Sequence, residues 1–171
     1  PGILKNYDQD AVLLTASEAY FNQAEAVFKG LMPGDAKVLY QKGIESSFVY
    51  LGLTATNASD YYSRNANLVG WDASANKIQA IITQKWASLV YRGYEAFWDH
   101  NRTGVPAISS TPIIDPTNPP AVVPGEFTWS VGGKTAAGVF PKRLIYPESE
   151  RNTNQNIPAE VGLTVPVWWA Q

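Results

Sequence analysis

Cysteine is absent from the 171 residues, histidine occurs once, and 13 basic side chains nearly cancel 15 acidic ones. Without cysteine there are no disulfides, no thiolate nucleophile and no Cys-based zinc site. One imidazole, His100, does not make a metal or nucleophile centre, and no Gly-rich phosphate loop, GxSxG elbow or HExxH is present. A net charge of −2 gives no electrostatic footprint for nucleic acid or an anionic membrane surface. No apolar run reaches the roughly 18 residues that a membrane-spanning helix needs. The opening PGILKNYDQD has neither an initiator Met nor the basic-then-apolar order of a signal peptide. The chain therefore reads as a mature or cut product, or a piece of a longer chain, with any export signal or lipid anchor upstream. What is present, 45% hydrophobic and 16% charged residues, suits a globular domain with a real core.

Thr15-Ala-Ser-Glu18 has the pattern of a capping box, and Ala16, Tyr20, Ala24, Val27 and Leu31 follow at helical spacing. Gly30 lies where a left-handed C-cap is wanted. Pro33-Gly34-Asp35 turns the chain into a second helix striped by Leu39, Tyr40, Ile44, Phe48 and Leu51. Residues 15–51 thus form a helix pair of tetratricopeptide length, whose small positions let the helices approach. One such pair cannot bury its apolar faces alone.

Residues 52–74, rich in Gly, Asn and Ser, read as a loop. A second helix pair spans 75–102: Ile78, Ile81, Ile82, Trp86 and Leu89 mark one helix, Gly93 breaks it, and Tyr94 to Arg102 form the next. Residues 105–171 are loop-rich, with six of the twelve prolines in Val105–Pro124. FTWSVGGKTAAGVF suggests a small β-hairpin around Gly132-Gly133.

Two groups of residues carry possible chemistry. Glu95 and Asp99 are i,i+4 on one helix face, neighbours rather than the opposed acids that glycoside hydrolysis needs. Arg92 and Arg102 are spaced to pair with them, which favours a charged helix face over a catalytic pair. Tyr61, Tyr62 and Trp71 stand in a polar stretch with little core of its own. Rings held there can stack on the C–H face of a sugar, with Asn57, Asp60, Arg64 and Asn65 near enough to bond its hydroxyls. The competing reading tucks these rings against the body of the protein.

The order AEAYFNQAEAVFKG, GIESSF, IITQKWASLVYRGYEAFWDHNRTGVP, PKRLIYPESERNTNQN and PVWWAQ resembles the C-terminal part of SusD/RagB-like outer-membrane lipoproteins. Phe97-Trp98 and His100-Asn101 depart from that family's usual run of Trp, acidic and Arg positions. The resemblance implies a mainly α fold of tetratricopeptide-like helix hairpins with long loops. It implies a non-catalytic, cell-surface protein, lipid-anchored through upstream sequence. Such a protein binds a glycan or other nutrient and partners a SusC-like TonB-dependent transporter, with no cofactor. Tyr61, Tyr62, Arg64 and Trp71 are the ligand candidates. A glycoside hydrolase and a protein-interaction scaffold are the alternatives. One structural clamp is also expected: Arg102 paired with Glu150, Asn154 capping nearby backbone, and Tyr146 packed on the helix.

Overall fold

Helix α1, Ala16–Phe28, starts where Thr15 accepts the Glu18 N–H on its side-chain oxygen at 3.1 Å in the computed structural model of the chain. The structure describes residues 6–109, 126–129 and 132–170. The expected reciprocal half of this capping box is replaced: the Glu18 carboxylate turns to Arg92, a charged partner that outcompetes a backbone N–H. Gly30 ends the helix in the left-handed region at φ +73°, with Leu31 N–H bonded back to Ala26 O at 2.9 Å. Asp35 then caps α2, Ala36–Tyr50, by accepting the Val38 N–H.

The two helices meet through Gly43. A Cβ there would lie 2.8 Å from the Phe21 ring, so only glycine allows the approach. Ser17 Oγ donates to the Gly43 carbonyl at 2.8 Å in the same buried seam. Phe21 meets Tyr40 edge to face at 6.0 Å, and with Ala24, Ile44, Ala58, Leu68, Ala80 and Ile81 they form the core.

Residues 52–74 contain a helix that the loop reading missed. Helix α3, Ala55–Tyr62, begins with a complete capping box: Asn57 N–H donates to Thr54 Oγ1, and Thr54 N–H donates to Asn57 Oδ1, both at 3.1 Å. Asparagine in place of the usual Glu or Gln, in a polar segment, hid the signal. Helix α4, Lys77–Ser88, is capped by Asn76, and α5 is Gly93–Thr103. Tyr94, in the first turn of α5, is exposed.

The chain divides into two compact units, residues 1–100 and 101–171, with the division inside α5. In the second unit the small sheet is not a hairpin. Strand β1, Ala107–Ser109, pairs in parallel with β2, Glu126–Thr128, in the register Ala107 to Glu126. Pairing with the chain that follows Pro106 takes the place of the Gly132-Gly133 turn, although Phe127 still meets the Phe140 ring at 5.8 Å. A short helix α6, Glu148–Thr153, and a 3-10 turn at Trp168–Ala170 complete the fold.

Candidate functional site

The turn from Arg64 to Asn76 is fastened by polar groups reaching out of the core. Leu68 adopts φ +63°, a left-handed conformation that costs a branched residue about 1–3 kcal/mol and needs support around it. That support is local and complete. Leu68 N–H donates to Ser74 Oγ at 3.0 Å, and Ser74 Oγ donates to Gly70 O at 2.7 Å. Buried Gln84 donates through Nε2 to Leu68 O at 2.7 Å, and Tyr40 donates its hydroxyl to Val69 O at 2.7 Å. Burial pushes the Tyr40 hydroxyl well above its ordinary pKa, so it stays a neutral donor. Lys77 Nζ closes the turn by donating to the Trp71 and Ser74 carbonyls, each at 2.6 Å.

This turn and the start of α2 enclose an open cleft of ≈ 320 Å³. Tyr62, Arg64, Asn65, Trp71 and Asp72 line one side, and Lys37 and Gln41 the other. Of the four ligand candidates read from the sequence, Tyr62, Arg64 and Trp71 are together here. Tyr61 stands behind them: its ring packs on Phe48 at 5.3 Å and its hydroxyl accepts from Gln84 Nε2 at 3.1 Å. Trp71 is half-buried, meeting Tyr40 at 5.4 Å, Phe28 at 6.1 Å and the Lys77 ammonium at 5.6 Å. The rings therefore do both things the sequence allowed, packing on the core and bordering a cleft. Asn57 belongs to the α3 cap rather than to the cleft. Lys37 and Gln41 were not singled out from the sequence. Their i,i+4 spacing on α2 was legible, but their nearness to Trp71 was not.

A second, larger groove of ≈ 920 Å³ runs along residues 10–17 and the outer face of the helix pair, bordered by Leu13, Leu14, Tyr20, Val49 and Tyr50. Exposed aliphatic side chains dominate it. Two rings, Tyr20 and Tyr50, and the charged Asp10, Lys42 and Glu45 also line it.

The acids of α5 are committed to ion pairs. Arg92 bridges Glu18 at 2.5 Å and Glu95 at 2.9 Å, and Asp99 pairs with buried Lys85. Burial pushes the Glu18 carboxyl above its ordinary pKa, only partly countered by Arg92 and Lys85. Gln84 and Lys85 of the QKW motif thus serve as structure, one fastening the cleft turn and the other holding α5. No cluster of three metal-ligating residues occurs among the described residues.

In the second unit, Arg102 is exposed at the end of α5, and no ion pair joins it to Glu150 among the described residues. Glu150 lies inside a helix that the sequence reading took for a turn. There it accepts from Asn154 Nδ2, four residues on, at 2.5 Å. Asn154 Oδ1 accepts the Asn156 N–H at 2.9 Å, and Tyr146, 41% exposed, gives its carbonyl to Arg151.

Comparison with known proteins agrees with this architecture. The SusD-like family described as starch-binding and associating with the outer membrane matches residues 3–147. A SusD homologue from Bacteroides fragilis superposes with TM-score 0.60 at 23% identity, over 94% of this chain and 35% of that one. A Bacteroidetes SusD-like protein gives 0.65 at 19% identity, over 94% and 30%. A chitin-binding protein gives 0.54 at 26% identity, over 82% and 27%. The chain thus spans about a third of the length of these structures. A search among curated proteins gives no match. No helix among the described residues is long and apolar enough to cross a membrane. With a mainly helical fold shared over 94% of its length and a family match over most of its sequence, the chain belongs to the SusD-like family.

Proposed function

We propose that this protein is a non-catalytic glycan-binding component at the outer-membrane surface, and that its ligand lies in the cleft bordered by Tyr62, Arg64 and Trp71. The observation that carries this reading is the cleft's composition: two rings and several planar polar side chains converge on a turn held rigid from the core. Rings offer a face to sugar C–H groups, and Gln41, Asn65 and Asp72 offer donors and acceptors for hydroxyls. A turn that is already ordered loses little entropy on binding. Capture beside a SusC-like TonB-dependent transporter follows from the family and is part of the same proposal. Glycoside hydrolysis has little support, because Glu95 and Asp99 share one helix and are both ion-paired.

Titration calorimetry with soluble starch and chitin oligosaccharides tests the site. Tyr62→Ala and Trp71→Ala should each weaken binding by about 0.5–1.5 kcal/mol beyond the lost contact area. Unchanged affinity in both variants overturns the assignment. The interaction-scaffold reading is favoured by one observation, the aliphatic groove of ≈ 920 Å³. It requires that Leu14→Asp abolish capture of a peptide while both cleft variants retain it.

A further inference from the structure

The cleft is electrically unbalanced. Lys37 and Asp72 neutralise each other at 2.5 Å across it, which leaves Arg64 as its remaining charged wall. Among the described residues no carboxylate pairs with Arg64, and Asp60, one helical turn earlier, does not take it. Lys77 adds a second cation nearby, its ammonium 5.6 Å from the Trp71 ring centre.

Arg64 is also better fixed than an ordinary surface arginine. Its guanidinium lies 5.5 Å over the Tyr61 ring, and Tyr61 is fastened in turn by Phe48 and Gln84. Its backbone is pinned as well. The Arg64 carbonyl accepts the Ala66 N–H at 2.9 Å, and a Cβ on Gly70 would come within 2.2 Å of that carbonyl. The route from core to cation is therefore continuous, from Gln84 and Phe48 to Tyr61 and from Tyr61 to Arg64. A braced guanidinium has lost part of its freedom before a ligand arrives, and its planar fork of donors matches a carboxylate. Neutral hydroxyls need no such cation, because Gln41 and Asn65 suffice for them.

Resting on the reading of the cleft as a glycan site, we propose that it selects acidic glycans, sugars whose carboxylate pairs with Arg64 while their C–H face meets Tyr62 and Trp71. The test is a binding panel on the full chain. It uses oligosaccharides of galacturonate, glucuronate, mannuronate and guluronate, their methyl esters, and neutral starch and chitin oligosaccharides. At least one uronate should bind about tenfold or more tighter than its own methyl ester, the range of a charge-assisted hydrogen bond. Arg64→Gln should erase that difference, Arg64→Lys should restore only part of it, and added salt should weaken the acid form alone. If neutral glycans bind and no uronate gains over its ester, acid selection is wrong and the glycan reading survives. If neither class binds, both are wrong. A uronate preference that persists in Arg64→Gln places the selecting group elsewhere and overturns the proposal.

Discussion

The buried apolar core runs from Phe21 to Leu89, whereas among the described residues beyond 100 only Asn101 and Pro106 are buried. The first unit is held by side chains packed to contact, with Gly43 small enough to let Phe21 in. Among the described residues of the second, polar links to backbone recur. Arg143 donates to the Val165 and Pro166 carbonyls at 2.9 and 3.1 Å, and Lys142 N–H donates to Leu163 O at 2.7 Å. Arg151 meets Glu160 at 3.2 Å, with both partners exposed. The difference bears on where a binding site can be precise. A cleft wall tied to a close-packed core keeps its geometry, and the candidate site is in that unit.

The sharpest way to break the contrast is to remove one core ring. Phe21→Ala should lower stability by about 3–5 kcal/mol in chemical denaturation, because the cavity sits between two helices that cannot both relax. A loss under about 1 kcal/mol would mean that the core is not the source of order.

Next in size is the buried ion pair. Arg92→Ala should cost about 3 kcal/mol or more near neutral pH by stranding Glu18, whose side chain is 7% exposed. Glu18 already has a raised pKa, so its protonated form is the one folding favours. Its contribution to stability is therefore fully present below the unfolded value of about 4.5 and is lost as pH rises through the folded value. The Arg92→Ala penalty should accordingly shrink on acidification, when the stranded acid is neutral. Denaturation midpoints at pH 7 and pH 4 measure this, and a penalty that grows in acid contradicts it.

A smaller effect separates helix α3 from the core beneath it. Thr54→Ala removes the hydroxyl half of its capping box, leaving the backbone N–H of residue 54 bonded to Asn57 Oδ1, and should cost about 1 kcal/mol. Hydrogen exchange should rise first at residues 55–62, with the turn at 64–76 keeping its protection through Gln84 and Tyr40. Smallest of all is the tail. Trp168→Ala, at a residue 84% exposed, should change stability by no more than about 0.5 kcal/mol. A larger loss would mean that the tail carries packing of its own.

Helices α1, α2, α4 and α5 were legible in the sequence from their apolar spacing, with caps at Thr15 and Asp35 supporting the first two. The buried face of α1 is nevertheless Ser17, Glu18, Phe21, Ala24 and Glu25 rather than a stripe ending at exposed Leu31, and Gly93 opens α5 rather than ending α4. Helix α3 was not legible, because its cap uses Asn57 and its residues are mostly polar. The parallel β1–β2 pairing was out of reach, since it joins segments whose register no local pattern encodes. In the cleft, Tyr62, Arg64 and Trp71 were legible as a group because they share one stretch. Lys37 and Gln41 come from the preceding helix pair, and only the fold brings them in. The expected Arg102–Glu150 contact rested on reading residues 146–150 as a turn. Once Glu150 is helical, Asn154 stands four residues away and is the nearer partner.

The most direct test of the central claim is a map of where a glycan touches. In two-dimensional NMR of the labelled chain, titration with the uronate and neutral oligosaccharides should shift the Trp71 indole N–H first. The backbone amides of residues 62–65 and 70–73 should move with it, while residues 10–17 and Val49 stay still. Shifts confined to residues 10–17 and Val49, or none in the Trp71 indole at saturation, would contradict the assignment.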